Sequence, residues 1–468
     1  MLCRNSLRAC AAFSTLALLA CCTAARAQER ELERGSERSE PKFDRMTPEA
    51  WVVQQVGGAV VNIQCEGPTP MRRSQFDEFF YGGQAPAQSQ GSGVVIAPEG
   101  FIITNYHVVG GAKKITVYFN EKYDSRAYPA ELLDQRPDED LALLKISRAE
   151  GNGSSQFPFV RLGRSDDLLI GERVIAIGNP YGKANTVSSG ILSATGRSIQ
   201  VQDPFTGQPR TFGDLLQTDA SINRGNSGGP LLNAHAELIG INNAIMPQAQ
   251  GITFAIPVNK VAGILDSQFF NVNLTDRFDL GFEVEEREGA LVVSGVDPES
   301  NAARAGLQAG DRILGLGDRA TKDLQSFSRE VLERKPGEAL ALSFQRGGKP
   351  RDLAFELPRF DVERYLWRRF GIEVERVAIR SGYRSAPALK IVEVRKDSPA
   401  WKIGLQNDDY LLRLGSTKEA IDPRYPPLAS PTEISSYLRD RRVRQEKKHF
   451  VLIYRPSEND YLSGDFEL

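Results

Sequence analysis

Between residues 59 and 256 the chain is a succession of short, β-branched, alternating segments. They fall at 59–63, 93–97, 101–104, 114–119, 141–146, 173–178, 186–194, 231–233, 238–243 and 252–256, with turn-forming residues between them. Segments this short are poor helices, and alternation gives each one apolar and one polar face, which predicts an all-β barrel or sandwich. The 42 glycines and 26 prolines supply the turns such a fold needs. Helical spacing of apolar residues returns at 258–270, with Asn259 as the expected start, and a short helix is expected after Thr47-Pro48-Glu49. Residues 134–140 read as a polar connection, and 66–90 as a long loop interrupted by the aromatic run Phe76-Asp77-Glu78-Phe79-Phe80-Tyr81.

At 468 residues the chain exceeds one core and suggests about three domains. Beyond residue 279 it repeats itself: Ser300-Asn301-Ala302-Ala303-Arg304-Ala305-Gly306-Leu307 returns as Ser398-Pro399-Ala400-Trp401-Lys402-Ile403-Gly404-Leu405. A period of about a hundred residues predicts two domains and not a solenoid. Each copy opens alike, with Leu280-Gly281-Phe282-Glu283-Val284 and Phe370-Gly371-Ile372-Glu373-Val374. The second copy has Asp408 where the first has Gly310, carries a Pro-rich insertion at 421–431 before a helix near 432–441, and is basic over 439–448, which reads as a solvated face.

A net charge of −2 gives no electrostatic reason to expect nucleic acid, and no basic run is long enough to alter that. Arg4 and Arg8, the apolar stretch 9–22 and Ala25-Arg26-Ala27 have the form of an export signal. Leu18-Leu19-Ala20-Cys21 also resembles a lipoprotein box, so membrane attachment is expected only if Cys21 is lipidated. Removal of residues 1–27 leaves Cys65 as the one cysteine; it follows an apolar run and is expected to be structural. No zinc-ligand spacing exists, so no metal and no cofactor is expected.

The strongest chemical signal is Gly225-Asn226-Ser227-Gly228-Gly229. A serine hydroxyl is a weak nucleophile that needs a base beside it and N–H donors where negative charge develops. The pattern alone also fits the α/β-hydrolase elbow or a Gly-rich turn. A base should be one of three histidines. His449 lies in the last domain and His235 in a turn just past the serine, whereas His107 ends a strand, where a side chain can face a cleft. Asp140, immediately before the apolar run 141–146, is expected to orient the imidazole, with Asp138 as the fallback of the same parity. The order His107, Asp140, Ser227 is that of chymotrypsin-type enzymes and removes the α/β-hydrolase reading.

Thr104-Asn105-Tyr106-His107-Val108-Val109, Asp140-Leu141-Ala142-Leu143-Leu144-Lys145-Ile146 and Gln217-Thr218-Asp219-Ala220-Ser221-Ile222-Asn223-Arg224-Gly225-Asn226-Ser227-Gly228-Gly229-Pro230 resemble the motifs of the HtrA/Deg serine proteases. Gly178-Asn179-Pro180-Tyr181-Gly182 and Phe254-Ala255-Ile256-Pro257 fit as well, and the resemblance runs from about residue 48 to the end. It implies a mainly β chain, with a double β-barrel chymotrypsin-like protease domain followed by two PDZ domains. The expected divisions are a signal at 1–27, a charged tether at 28–46, the protease at 47–275 and PDZ domains at 276–360 and 361–468. It further implies a triad of His107, Asp140 and Ser227, and an oxyanion hole from the N–H groups of Gly225 and Ser227. Peptide-carboxylate loops would lie at Leu280, Gly281 and Phe282 and at Phe370, Gly371 and Ile372.

Ser221 stands six residues before the serine, where trypsin-like enzymes are acidic; with Ile222 it predicts an S1 pocket for small or medium apolar side chains. Asn226 cannot form the ion pair that matures trypsins, so loops at 197–211 and 244–250 are expected to order on activation. The implied function is an exported, ATP-independent endopeptidase for misfolded envelope proteins in the periplasm. Its expected partners are unfolded polypeptides, C-terminal peptides and copies of itself as a trimer or larger, with Phe79, Phe80 and Tyr81 as contacts. A peptide-binding chaperone or scaffold is the alternative.

Overall fold

The computed structural model describes residues 45–67, 88–147, 156–180, 184–202, 209–222, 225–243, 251–275, 277–317, 319–381, 384–415, 428, 430–431, 434–435, 437, 449–458 and 460–466. The expected export signal with Cys21, most of the tether, the aromatic run at 76–81, the loop at 244–250 and most of the Pro-rich insertion lie outside these residues.

Helix α1 (Pro48–Val56) begins as the sequence predicts, with the Thr47 hydroxyl accepting the Ala50 N–H at 3.3 Å. Strands β1 (Val60–Glu66), β2 (Gln88–Ala97), β3 (Phe101–Thr104), β4 (Lys114–Tyr118), β5 (Ala127–Arg136) and β6 (Leu141–Ile146) form a closed barrel in the order β1-β2-β3-β6-β5-β4. Strands β7 (Arg173–Gly178), β8 (Thr186–Gln202), β9 (Pro209–Thr218), β10 (Pro230–Leu232), β11 (Leu238–Asn243) and β12 (Thr253–Pro257) close a second, in the order β10-β11-β12-β9-β8-β7. Closure removes the exposed edges that short strands would otherwise present. Phe101, Ile102, Ile103, Leu141, Leu143 and Leu144 are fully buried in the first barrel, and each such side chain contributes about 1.5–3 kcal/mol of burial.

Two strands escape the sequence pattern. Strand β5 contains Pro129 and runs into Asp134-Gln135-Arg136 with little alternation, so its end reads as polar connection; its pairing with β6 supplies the order that propensity does not. Strand β9 carries Pro209, Gly213 and Asp214, the last at φ 57°, and pairs with β8 through several register shifts. The loop expected at 197–211 is therefore corrected where it is described: 197–202 and 209–211 are paired strand. Helix α2 (Tyr106–Val109) follows β3, and α3 (Val258–Ile264) follows β12. Helix α3 starts at Val258, one residue earlier than expected, because the Asn259 carboxamide is engaged instead with the Ser165 N–H at 2.9 Å. Cys65 is buried in β1.

The C-terminal copies share one topology. Strands β13 (Phe282–Arg287), β14 (Ala290–Val296), β15 (Arg312–Leu316), β17 (Ala339–Arg346) and β18 (Lys349–Glu356) form a sheet in the order β13-β14-β15-β17-β18, with β16 (Arg319–Ala320) on β15. Strands β19 (Ile372–Ser381), β20 (Arg384–Val394), β21 (Tyr410–Gly415), β22 (His449–Arg455) and β23 (Asp460–Phe466) follow in sequential order. The repeated motif becomes one helical turn in each copy, α4 (Asn301–Arg304) and α7 (Pro399–Lys402), capped by Ser300 and Ser398. Helix α5 (Leu324–Leu332) packs on the first sheet, and α6 (Val362–Arg369) leads into the second. One apolar cluster runs from the first barrel through part of the second into the first copy, whereas the second copy has a core of its own.

Candidate active site

His107 sits in α2, the single turn that follows β3, and Asp140 follows the 3₁₀ turn Pro137–Glu139 just before β6. Asp140 adopts φ 52°, a left-handed conformation that aspartate tolerates better than most residues. That twist lets one residue hold the His107 turn with both its backbone and its side chain. Its carbonyl accepts the Tyr106 N–H at 3.1 Å and the Asn105 carboxamide N–H at 3.0 Å. Its Oδ1 accepts the His107 backbone N–H at 2.9 Å, and its Oδ2 lies 2.8 Å from Nδ1. Asp140 is 5% exposed, so the imidazole meets a carboxylate fixed by the fold. The fallback carboxylate is engaged elsewhere: Asp138 pairs with Arg136 at 3.0 Å, and its neighbour Glu139 with Lys260 at 2.6 Å.

Ser227 lies 7% exposed in the turn that leads into β10. The turn belongs to the second barrel but is anchored on the first. The Ser227 carbonyl accepts the Ser92 N–H of β2 at 2.9 Å, and the Ser92 hydroxyl donates to the Gly225 carbonyl. Thr104, two residues before α2, donates its hydroxyl to the Ser92 carbonyl at 2.7 Å. Ser92 and Thr104 thus tie the serine turn to the strand end that carries His107. Gly228, at φ 81°, packs where a Cβ would overlap the Ser92 carbonyl and the Thr104 hydroxyl, so no other residue fits. Among the described residues none accepts from the N–H of Gly225 or of Ser227, which leaves both donors open to an incoming carbonyl oxygen.

Asn226 is buried with its side chain against Gly178, where a Cβ would overlap it. Ser221 is exposed, and its carbonyl accepts the Ser188 hydroxyl at 2.6 Å. Ile222 is buried in the apolar cluster of the second barrel with Leu192, Ala220 and Leu231. The two residues therefore face different surroundings: Ser221 meets solvent and Ile222 meets the core.

In the C-terminal copies Leu280, Phe282, Phe370 and Ile372 are buried, and Gly281 and Gly371 sit at φ 75° and 80° against Ser300 and Ser398. The Gly281 N–H donates to Asp279 Oδ1 at 3.2 Å, and the Gly371 N–H to the Leu366 carbonyl at 2.9 Å. A cavity of about 270 Å³ lies beside Gly281, with Arg368 and Arg369 of α6 in its wall. Sequence reasoning missed Ser92 as a tie and gave Thr104 and Asn105 no role; the flanking Gly91-Ser92-Gly93, so close in pattern to the serine turn, was the available signal.

A family model for a trypsin-like peptidase domain matches residues 91–241, and one for a PDZ domain matches residues 279–357. The chain is 34% identical over 388 residues to the periplasmic pH-dependent serine endoprotease DegQ of Escherichia coli, covering 77% of this chain and 82% of the relative. It is 33% identical over 387 residues to the periplasmic serine endoprotease DegP of the same organism, covering 76% of each. A solved structure described as HtrA-type protease AlgW with tripeptide shares 33% identity over 66% of this chain and 96% of that one, with a TM-score of 0.38.

Proposed function

The chain belongs to the HtrA/Deg family of serine endoproteases, and from that premise we propose that Ser227, His107 and Asp140 perform the peptide hydrolysis. His107 takes the Ser227 proton as the hydroxyl attacks the scissile carbonyl, then passes it to the leaving amine; water completes the cycle by the same route in reverse. Asp140 holds the Nδ1–H tautomer and stabilises the imidazolium, and the N–H groups of Gly225 and Ser227 receive the oxyanion. The observation that carries this reading is the double grip of Asp140 on His107, through Oδ1 and Oδ2, beside a serine turn tied to the same strand end. Ser227→Ala should lower cleavage of unfolded casein by at least about 10³-fold with folding unchanged. Cleavage at the wild-type rate would refute the assignment.

The enzyme is assigned protease residues 47–275 and PDZ domains at 276–360 and 361–468. We read it as exported, like its periplasmic relatives, and as acting without ATP on unfolded polypeptides in a trimer or larger assembly. Exposed Ser221 in place of an acid favours small or medium apolar residues at P1, so cleavage mainly after Arg or Lys would overturn that preference. Buried Asn226 against Gly178 supports activation without a new N-terminus. If the Ser227→Ala protein still suppressed aggregation of unfolded casein, the chaperone activity would stand beside the protease.

A further inference from the structure

The first C-terminal copy keeps a strand edge that its sheet does not use. Strand β13 ends the sheet order, and Val284 turns its N–H and C=O away from β14. Both groups are taken by one side chain of the same molecule. Asn273 Oδ1 accepts the Val284 N–H at 3.0 Å, and Asn273 Nδ2 donates to the Val284 carbonyl at 2.8 Å. A carboxamide presents one acceptor and a pair of donors at about the spacing of a peptide unit, so it can imitate the backbone of an added strand.

The residues around Asn273 form a 3₁₀ turn, Val272–Leu274, that holds its carboxamide against the strand. Val272 is buried in the core, and its N–H donates to the Ser328 hydroxyl of α5 at 3.1 Å. The segment 271–275 thus lies between β13 and α5, the two walls of a strand-addition groove. At the groove's end the Gly281 N–H is also taken, by Asp279 Oδ1, while the other Asp279 oxygen pairs with Arg368. Arg368 pairs further with Asp297 at 2.6 Å, which fixes the acid in place.

We propose that residues 271–275 are a built-in ligand of the first PDZ groove, and that an extended peptide binds there only by expelling them. This rests on the reading that the groove takes peptides at all. The exchange has a clear direction: an incoming strand regains the Val284 bonds that Asn273 gives up, so net affinity is reduced by the stability of the closed segment. The expelled segment joins the end of the second barrel to the first copy, so occupancy of the groove is felt first at that junction.

The test uses the full chain and two readouts. Asn273→Ala should speed amide exchange of strand 282–287 by about tenfold with no ligand present, which corresponds to about two net hydrogen bonds. The same variant should bind a fluorescein-labelled hexapeptide ending in valine about tenfold more tightly than wild type. Ser328→Ala, which frees the Val272 N–H, should move both readouts in the same direction by less. Unchanged exchange, or equal affinity of wild type and both variants, overturns the built-in ligand. Faster exchange with no binding by any of the three proteins instead overturns the reading that the groove accepts peptides, and the exchange proposal falls with it.

Discussion

In the first C-terminal copy Asp311 accepts from Arg346 and from the Gln308 N–H at 2.9 Å; in the second, Asp409 accepts from Arg455 and from the Gln406 N–H at 2.9 Å. Each arginine also reaches a carbonyl of the repeated motif, Gly306 or Gly404, at 2.8 Å. The copies part company at their entrances. A 3₁₀ turn, Val272–Leu274, leads into the first, and Asn273 and Asp279 meet the edge strand and the glycine loop. Helix α6 enters the second, and the Gly371 N–H closes that helix on the Leu366 carbonyl. One loop sequence, apolar-Gly-apolar, is therefore engaged in two ways, and the segment before it decides which. A sheet and its glycine loop can be repeated while the segment ahead of them changes what the loop bonds to.

The largest expected effect tests whether the shared frame is equally buried. Arg455 and Asp409 are 10% and 1% exposed as side chains, and among the described residues no other cation pairs with Asp409. Arg455→Ala leaves a buried carboxylate uncompensated and should cost the second copy about 3 kcal/mol, read by urea unfolding and exchange of β22. Arg346 is 26% exposed against an equally buried Asp311, so water can partly replace it and Arg346→Ala should cost less. Equal losses would break the comparison.

A middle-sized effect concerns the glycine loops. A Cβ on Gly281 would overlap Ser300 and one on Gly371 would overlap Ser398, both from left-handed backbone. Alanine at either position should cost about 2 kcal/mol. The Gly371 variant should in addition raise amide exchange at the end of α6, because that helix loses its cap; the Gly281 variant should leave α6 unchanged. A loosened α6 in both would mean that the entrances are coupled.

Much of this was legible in sequence, for physical reasons that differ by region. Residues 141–146 and 173–178 form strands with the predicted boundaries, because each is a short, nearly continuous apolar run that the barrel buries on both faces. His107 and Asp140 could be chosen because few histidines existed and strand ends point into clefts. Strand β9 could not be read, since Pro209, Gly213 and Asp214 spell a loop locally and only pairing across β8 overrides them. Ser92 and Asn105 act through hydrogen bonds to backbone groups of distant segments, which leave no periodic trace. Asn273 was equally silent: its partner Val284 is eleven residues away, and nothing in an asparagine announces that it will stand in for a strand.

The smallest effect bears on one of the two positions where the copies differ inside their common turn, the other being Ala309 against Asn407. Gly310 has φ 89° and Asp408 has φ 73°, so the second copy adopts the glycine conformation without glycine. Left-handed backbone costs an L-residue about 1–2 kcal/mol, less for aspartate, and glycine returns part of that gain as unfolded-state entropy. Asp408 also pairs with Lys390 at 2.6 Å, but its side chain is 73% exposed and water competes for the contact. Asp408→Gly should therefore stabilise the second copy by about 0.5 kcal/mol, and Gly310→Asp should destabilise the first by about 1 kcal/mol. The sign of the first change is the informative result. A loss of stability relative to wild type that shrinks in high salt, as the wild-type pair is screened, would mean that the Lys390 pair outweighs backbone strain.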